Sequence, residues 1–271
     1  MDAAVHRPTQ AQGRKLVSSR QILESELIAG GEGLESAARP MPVAEAYERW
    51  APSYDQTPNP LLAREERYLL PLLLESQYER ILDLACGTGR WLEKLTAQSA
   101  GGVGIDSSLA MLHVAAQKRA IKKRIMLATC EILPLRDAAF DLVICSFALG
   151  HVGDLASTVH ELARVTKPEA DVFVSDLHPD ACARGWRTGF RDGSTAVRIE
   201  TLPRTTEETV DSFCCSGFEC LSCVALQLGE PEKPIFARAG KDDAFAEACE
   251  FPAVLVCHFR RLHTSIVNGR M

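Results

Sequence analysis

A short apolar run that turns on two glycines into an amphipathic stretch constrains this chain more than any other feature: residues 81–90 read ILDLACGTGR. Ile81, Leu82 and Leu84 have the make-up of a buried strand, and Asp83 through Gly89 carry the chain into a turn. Trp91, Leu92 and Leu95 then follow at helical spacing. Strand, glycine turn and helix in that order form a corner of an open α/β sheet, at the carboxyl end of a strand, where such folds bind ligands. Glycine at 87 and 89 lets the backbone turn sharply and lets a ligand approach the main chain. The helix that follows offers unpaired N–H groups to that ligand.

The next strand narrows the ligand. Residues 101–106 read GGVGID and end on Asp106, 23 positions beyond Asp83. A carboxylate about 20 residues past the glycine turn, at the tip of the following strand, suits hydrogen bonding to ribose hydroxyls. The pair points to a nucleoside-bearing cofactor. The dinucleotide fingerprint G-x-G-x-x-G is not met, because alanine stands at 85, glycine at 87 and 89, and tryptophan at 91. A nicotinamide-dependent oxidoreductase is therefore the weaker reading.

The stretch resembles the first motif of the class I S-adenosylmethionine-dependent methyltransferases, in particular their small-molecule enzymes, and the resemblance covers about residues 43–178. AYERWAPSYD at 46–55 looks like the N-terminal helix that closes over the cofactor, CEILP at 130–134 like the segment that holds the adenine, and FDLVICSFALGHV at 140–152 like the fourth strand with its active-site loop. It implies a Rossmann-like α/β fold: a seven-stranded, mostly parallel sheet with helices on both faces and one antiparallel edge strand. S-adenosyl-L-methionine is the implied cofactor. Asp106 would bind its ribose, with Ser107 beside it. Ala85, Cys86, Gly87 and Gly89 would pack on its methionine moiety, and Asp83 would orient its ammonium. Met111, Cys130, Glu131 and Ile132 would frame the adenine, Ser146 would close the fourth strand at the site, and Tyr47, Trp50 and Tyr54 would cover it. Family members commonly carry an acidic residue where Thr129 stands, so the adenine contact falls to main-chain groups, to Cys130 or to Glu131. A second departure is Lys167-Pro168-Glu169-Ala170-Asp171, which replaces the usual proline-glycine-glycine turn.

Composition excludes several function classes. With 271 residues, 46% hydrophobic and 24% charged, the chain is long enough for one large α/β domain. A net charge of −6 argues against a surface built to neutralise phosphates, so no nucleic-acid partner is expected. The basic cluster Lys118, Arg119, Lys122, Lys123 and Arg124 reads as a solvated helix end. No run of 18 apolar residues is present, and neither is the apolar core of a secretory signal. The expectation is a cytoplasmic protein, monomer or homodimer, without membrane contact and with its ten cysteines as reduced thiols.

Along the chain, residues 1–40 read as a flexible arm with one helical candidate over Arg14–Ile28, and residues 41–271 as the methyltransferase domain. Residues 179–204 are too long for a tight connection and carry Trp186 and Phe190, which fits an insertion that walls a substrate pocket. Residues 218–228 and 253–260 read as strands pairing antiparallel at the sheet edge. Cys214, Cys215, Cys220 and Cys223 invite a zinc reading, but an odd offset on a strand sends the side chains of 220 and 223 to opposite faces, so no metal is expected.

His151 and His178 each follow the carboxyl end of a strand flanking the crevice, and a neutral imidazole there is able to take a proton from a nucleophile. They are the candidate catalytic residues, His151 the better of the two. Together with Phe147, Trp186 and Phe190 they are also the candidate contacts for a small-molecule acceptor bearing an oxygen, nitrogen or carbon nucleophile. A non-catalytic S-adenosylmethionine-binding protein would carry the same cofactor motifs, and methylation of a protein side chain would need a more open groove.

Overall fold

The computed structural model describes residues 40–96, 101–193 and 195–263. The arm at 1–39, with its helical candidate, lies outside them. In chain order the elements are α1 (Val43–Trp50), α2 (Pro60–Glu75), β1 (Arg80–Leu84), α3 (Arg90–Leu95), β2 (Gly101–Asp106), α4 (Leu109–Ala115), β3 (Ile125–Leu127), β4 (Phe140–Ser146), α5 (Leu155–Val165) and β5 (Thr166–Leu177). Then follow α6 (Pro179–Ala183), β6 (Gly189–Asp192), β7 (Thr195–Arg198), α7 (Thr206–Cys215), β8 (Phe218–Gln227), α8 (Lys233–Arg238), α9 (Asp242–Ala248) and β9 (Pro252–Arg261).

Local chemistry sets many of these boundaries. Asn59 caps α2 by accepting from the Leu61 and Leu62 amides, Ser108 caps α4, Asp154 caps α5, and Thr205 with Glu208 forms a capping box on α7. The central strands alternate strictly. Leu142 and Ile144 of β4 join the core under α2 and α3, while Val143 and Cys145 join the core under α5 and α7. Both sheet faces are thereby buried, as a parallel sheet requires.

The seven strands lie in the order β3-β2-β1-β4-β5-β9-β8. Neighbours from β3 to β5 run parallel, and β9 runs antiparallel to both β5 and β8. The terminal pair thus forms at the expected edge, with the reversed strand β9 one position in from the rim. The glycine turn after β1 and the loop after β4 meet at the carboxyl ends of adjacent strands, where the order reverses, and this is where the fold leaves a crevice. Among the described residues no helix is long and apolar enough to cross a membrane.

Two expectations are corrected by strand irregularities. The Lys167–Asp171 stretch lies within β5 as an irregularity between the Thr166–Phe140 and Asp171–Leu142 pairs, and Glu169 takes φ of 63°, the conformation a glycine would ordinarily supply. In β8, Leu221 is an extra residue opposite β9: Cys220 pairs with Phe259 and Ser222 with His258. That bulge cancels the odd offset, so the Cys220 and Cys223 sulfurs lie 3.8 Å apart on one side rather than on opposite faces. Cys223 is joined by a disulfide to Cys257 on β9, so eight cysteines, not ten, are free thiols.

The 179–204 insertion contains α6 and a two-stranded hairpin, β6 with β7. Its Phe190, Val197 and Ile199 pack under Ala46 and Trp50 of α1. The insertion therefore supports the helix that covers the site.

Candidate functional site

A cleft of about 600 Å³ opens at the carboxyl ends of β1, β2 and β4, a size in the usual range for small-molecule sites. The glycine turn forms its floor. Ala85 takes φ of 53° and Gly87 φ of 54°, and a Cβ built on Gly87 would meet nothing within 4 Å. The main chain here faces open space that a ligand could fill. Gly89 does different work: a Cβ on it would clash with Ile121 Cδ1, so its bareness serves packing against the segment after α4.

Asp106 stands at the tip of β2 with both carboxylate oxygens oriented by main-chain donors. The Gly87 amide donates to Oδ2 at 2.7 Å and the Ser108 amide to Oδ1 at 2.7 Å. Burial raises its pKa, and the two amides counter that by favouring the ionised form. Ser107, Met111, Cys130, Glu131 and Ser146 line the same cleft, as does Thr129. Burial pushes the Cys130 thiol up to about 12, so it is a neutral wall rather than a nucleophile.

Other expected cofactor residues act from behind the wall. Asp83 is buried and accepts from the Leu92 amide at 2.9 Å, tying the start of α3 to β1. Burial pushes its pKa up to about 7. Cys86 is buried against Gly104, whose missing Cβ would lie 2.8 Å from its sulfur. Trp50 is sandwiched between Tyr47 and Phe190, with ring centroids at 5.9 and 5.1 Å. Ile132 is 76% exposed and does not line the cleft. These four support or flank the site and do not form its surface, because a strand or helix that places one residue at a cleft turns its neighbour the other way.

The cover is α1 and the 3₁₀ turn after it. Tyr47 and Tyr54 line the cleft. Asp55 fastens the cover to the glycine turn, accepting from Thr88 Oγ1 at 2.5 Å and pairing with Lys118 at 2.9 Å. Sequence reasoning missed this tie. It also missed the fully buried Glu65, which receives Arg90 and the Ser175 hydroxyl in close hydrogen bonds and the Ser146 hydroxyl at 2.7 Å. A signal for Glu65 existed: Leu61, Glu65 and Leu69 share one helical face, so a carboxylate falls on the apolar stripe of α2.

The opposite wall is the turn after β4. Phe147 takes φ of 51°, a strained setting of the kind found at binding sites, and both it and His151 line the cleft. His151 Nδ1 lies 3.1 Å from the Glu200 carbonyl oxygen, which only accepts, so Nδ1 carries the proton. Nε2 is then the bare nitrogen, 3.1 Å from the Tyr47 hydroxyl that donates to it. Burial pulls the His151 pKa below its usual value, which keeps the ring neutral at physiological pH.

His178, Trp186 and Phe190 do not reach this cleft. His178 caps α6, its Nδ1 accepting from the Asp180 amide at 3.1 Å. Trp186 is buried edge-on to Phe251 in the core beneath β9, and Phe190 is under α1. The direction of the chain after β5 explains all three: α6 starts at once and carries the insertion behind α1 rather than along the cleft. Among the described residues, no group of three His, Cys, Asp or Glu side chains is placed to hold a metal ion.

Comparison with known proteins bears on these features. Residues 82–174 match a family described as a methyltransferase domain. A demethylmenaquinone methyltransferase of Renibacterium salmoninarum is 33% identical over 146 residues, covering 52% of this chain and 61% of that protein. A ubiquinone biosynthesis O-methyltransferase of Hahella chejuensis is 34% identical over 138 residues, covering 49% and 56%. The chain thus spans about three fifths of the length of these curated relatives. The N-methyltransferase NodS of Bradyrhizobium japonicum WM9, solved with S-adenosyl-L-homocysteine, shares the fold with a TM-score of 0.57 at 16% identity, over 81% of this chain and 98% of that one.

Proposed function

We propose that this chain, whose residues 82–174 match a methyltransferase domain, is a class I methyltransferase that transfers a methyl group from S-adenosylmethionine to a hydroxyl of a small, uncharged acceptor. The observation that carries this reading is His151: a neutral imidazole with its bare Nε2 turned into the cleft that also holds Asp106 and the glycine turn.

The cleft fits the cofactor on its own chemistry, with open space over Gly87 and an oriented carboxylate at Asp106. Asp106 would hold the ribose diol, Ala85 and Gly87 the methionine moiety, and Met111 with Thr129 to Glu131 the adenine. When bound, S-adenosylmethionine supplies a methyl group made electrophilic by its sulfonium.

The protein's own part is alignment and one proton. The Phe147–His151 turn and the α1 cover hold the acceptor in line and exclude water; such alignment supplies about 7 to 11 kcal/mol. The acceptor hydroxyl replaces the Tyr47 hydroxyl at His151 Nε2 and gives up its proton there as the oxygen becomes nucleophilic. The Glu200 carbonyl steadies Nδ1–H throughout. General-base help of this kind is worth about a hundredfold to ten-thousandfold.

The acceptor's charge follows from the walls. Val43, Ala44, Phe147, Ala148 and Val152 give an apolar lining, and among the described residues no lysine or arginine lines the cleft. Glu48 at its mouth is acidic. A phosphorylated or carboxylated acceptor would find no counter-charge, whereas an apolar phenol or enol would fit. Quinol precursors, in view of the relatives' names, are the first compounds to test.

Calorimetric titration with S-adenosylmethionine, and separately with NADH, tests the site. Micromolar binding of S-adenosylmethionine alone, weakened at least about a hundredfold in Asp106→Ala by loss of charge-assisted hydrogen bonds, is the expected result. NADH binding instead, or affinity unchanged by the substitution, would overturn the assignment. Transfer of labelled methyl to a panel of neutral phenols, with their carboxylated counterparts as controls, then tests the acceptor class.

A further inference from the structure

The turn that carries His151 is gripped from both sides. Asp176, the penultimate residue of β5, accepts the Gly150 amide on Oδ2 at 2.9 Å. From the far side, the Leu202 amide donates to the Gly150 carbonyl at 2.7 Å, and Arg204 donates to the carbonyls of Val152 at 2.6 Å and Leu149 at 3.3 Å. A cavity of about 40 Å³ behind the turn is walled by Gly150, Asp176 and Arg204.

Resting on the reading of His151 as the base, we propose that Asp176 is its positioning residue: the carboxylate fixes the Gly150 amide, so the imidazole keeps its aim, and its negative charge stabilises the imidazolium that proton transfer creates. Asp176 acts through the Gly150 amide, one residue before His151, and through its charge. Tyr47 from α1 contacts the imidazole, Asp176 from β5 and Arg204 from the segment before α7 hold its turn, and Glu48, Asp106, His113 and Glu131 line the same cleft. Asp176 favours the protonated ring by its charge, and the Glu200 carbonyl at Nδ1 favours it through a hydrogen bond. Burial lowers the His151 pKa, and the Asp176 charge, followed by the Glu200 hydrogen bond, opposes that fall. For Asp176, burial disfavours ionisation, while the amides of Leu177 and Gly150 and the charges of His151 and Arg204 favour it. A base needs this balance: neutral at rest, yet stable once protonated.

The alternative is a staple that merely holds the turn. The two roles move His151 in opposite directions. In Asp176→Asn, the side-chain oxygen still accepts the Gly150 amide but the charge is gone, so the His151 titration, followed by NMR of its ring signals and assigned by their loss in His151→Gln, is expected to shift to lower pH. A loosened turn would instead hydrate the ring and shift it upward; that shift, or none, overturns the proposal. Should Asp176→Asn not fold, the coupling is read from the other partner, since interaction between two sites is reciprocal. The Asp176 carboxyl carbon is expected to titrate at higher pH in His151→Gln than in the wild type, and an unchanged midpoint overturns the proposal. Titration of the same samples with S-adenosylmethionine separates the two readings: loss of cofactor binding in the wild type would sink the proposed function while leaving the His151 midpoint measurable.

Discussion

The two walls of the cleft are built by different means. In and behind the wall proposed for the cofactor, hydrogen-bonded partners are near in sequence: Asp83 holds the Leu92 amide nine positions on, and Asp106 the Gly87 amide 19 positions back. On the wall proposed for the acceptor they are far apart. Tyr47 reaches His151 over 104 positions, and Glu200 over 49. A wall made of local turns is fixed once each strand and turn forms, whereas one made of distant loops depends on how the insertion and α1 dock. The difference suggests that cofactor affinity and turnover are separable in this protein.

The sharpest way to break that separation is His151→Gln. With an acceptor that the wild type methylates, kcat is expected to fall about a hundredfold to ten-thousandfold, while calorimetric affinity for S-adenosylmethionine stays within about twofold. A parallel loss of affinity would mean the walls are coupled. In the wild type the base must be neutral, and burial sets its pKa below the usual value. Initial rates should therefore be level through neutral pH and decline only on acidification.

The cofactor wall makes its own prediction through Asp83. Burial holds its pKa at about 7, against 3.8 for an ordinary aspartate. The folded chain thus binds a proton that the unfolded chain has lost, and the resulting stability is present in full below about pH 4 and disappears as pH rises through about 7. Asp83→Asn keeps an acceptor for the Leu92 amide and does not ionise. Its melting temperature is expected to gain on the wild type between pH 5 and pH 8, and a constant gap in thermal melts would show that the carboxyl is not held neutral.

The smallest expected effect lies away from both walls. Glu169 takes φ of 63° with a full side chain, a conformation that costs a non-glycine residue about 1 kcal/mol. Glu169→Gly should raise the melting temperature by about 2 °C and leave cofactor affinity untouched. A drop would indicate that the side chain is needed where it stands.

The legibility of the site follows the same division. Gly87, Asp106, Ser107, Met111 and the Cys130-Glu131 pair were readable because a strand end, a glycine turn and a following cap each have a short signature, and all line the cleft. His151 was readable by position, at the end of a central strand. His178, Trp186 and Phe190 were misplaced because their location depends on α6, a five-residue helix that redirects the insertion and leaves no periodic pattern. The faces of Cys220 and Cys223 were misassigned for a related reason: a bulge shifts the period of a strand by one, and only the partner strand reveals it.

What the sequence determined by itself is the sheet with the Asp106 carboxylate at a strand tip and the glycine turn beside it, since alternating apolar strands, capped helices and a turn that needs glycine are local demands. What only the tertiary structure decided is which atoms face one another across the cleft: the proton on His151 Nδ1, the hydroxyl of Tyr47 at Nε2, the Asp55 tie to Thr88, and Asp176 behind the turn. Hydrogen bonds between residues tens of positions apart carry no period in the chain, and they exist only once burial has brought their strands and loops together.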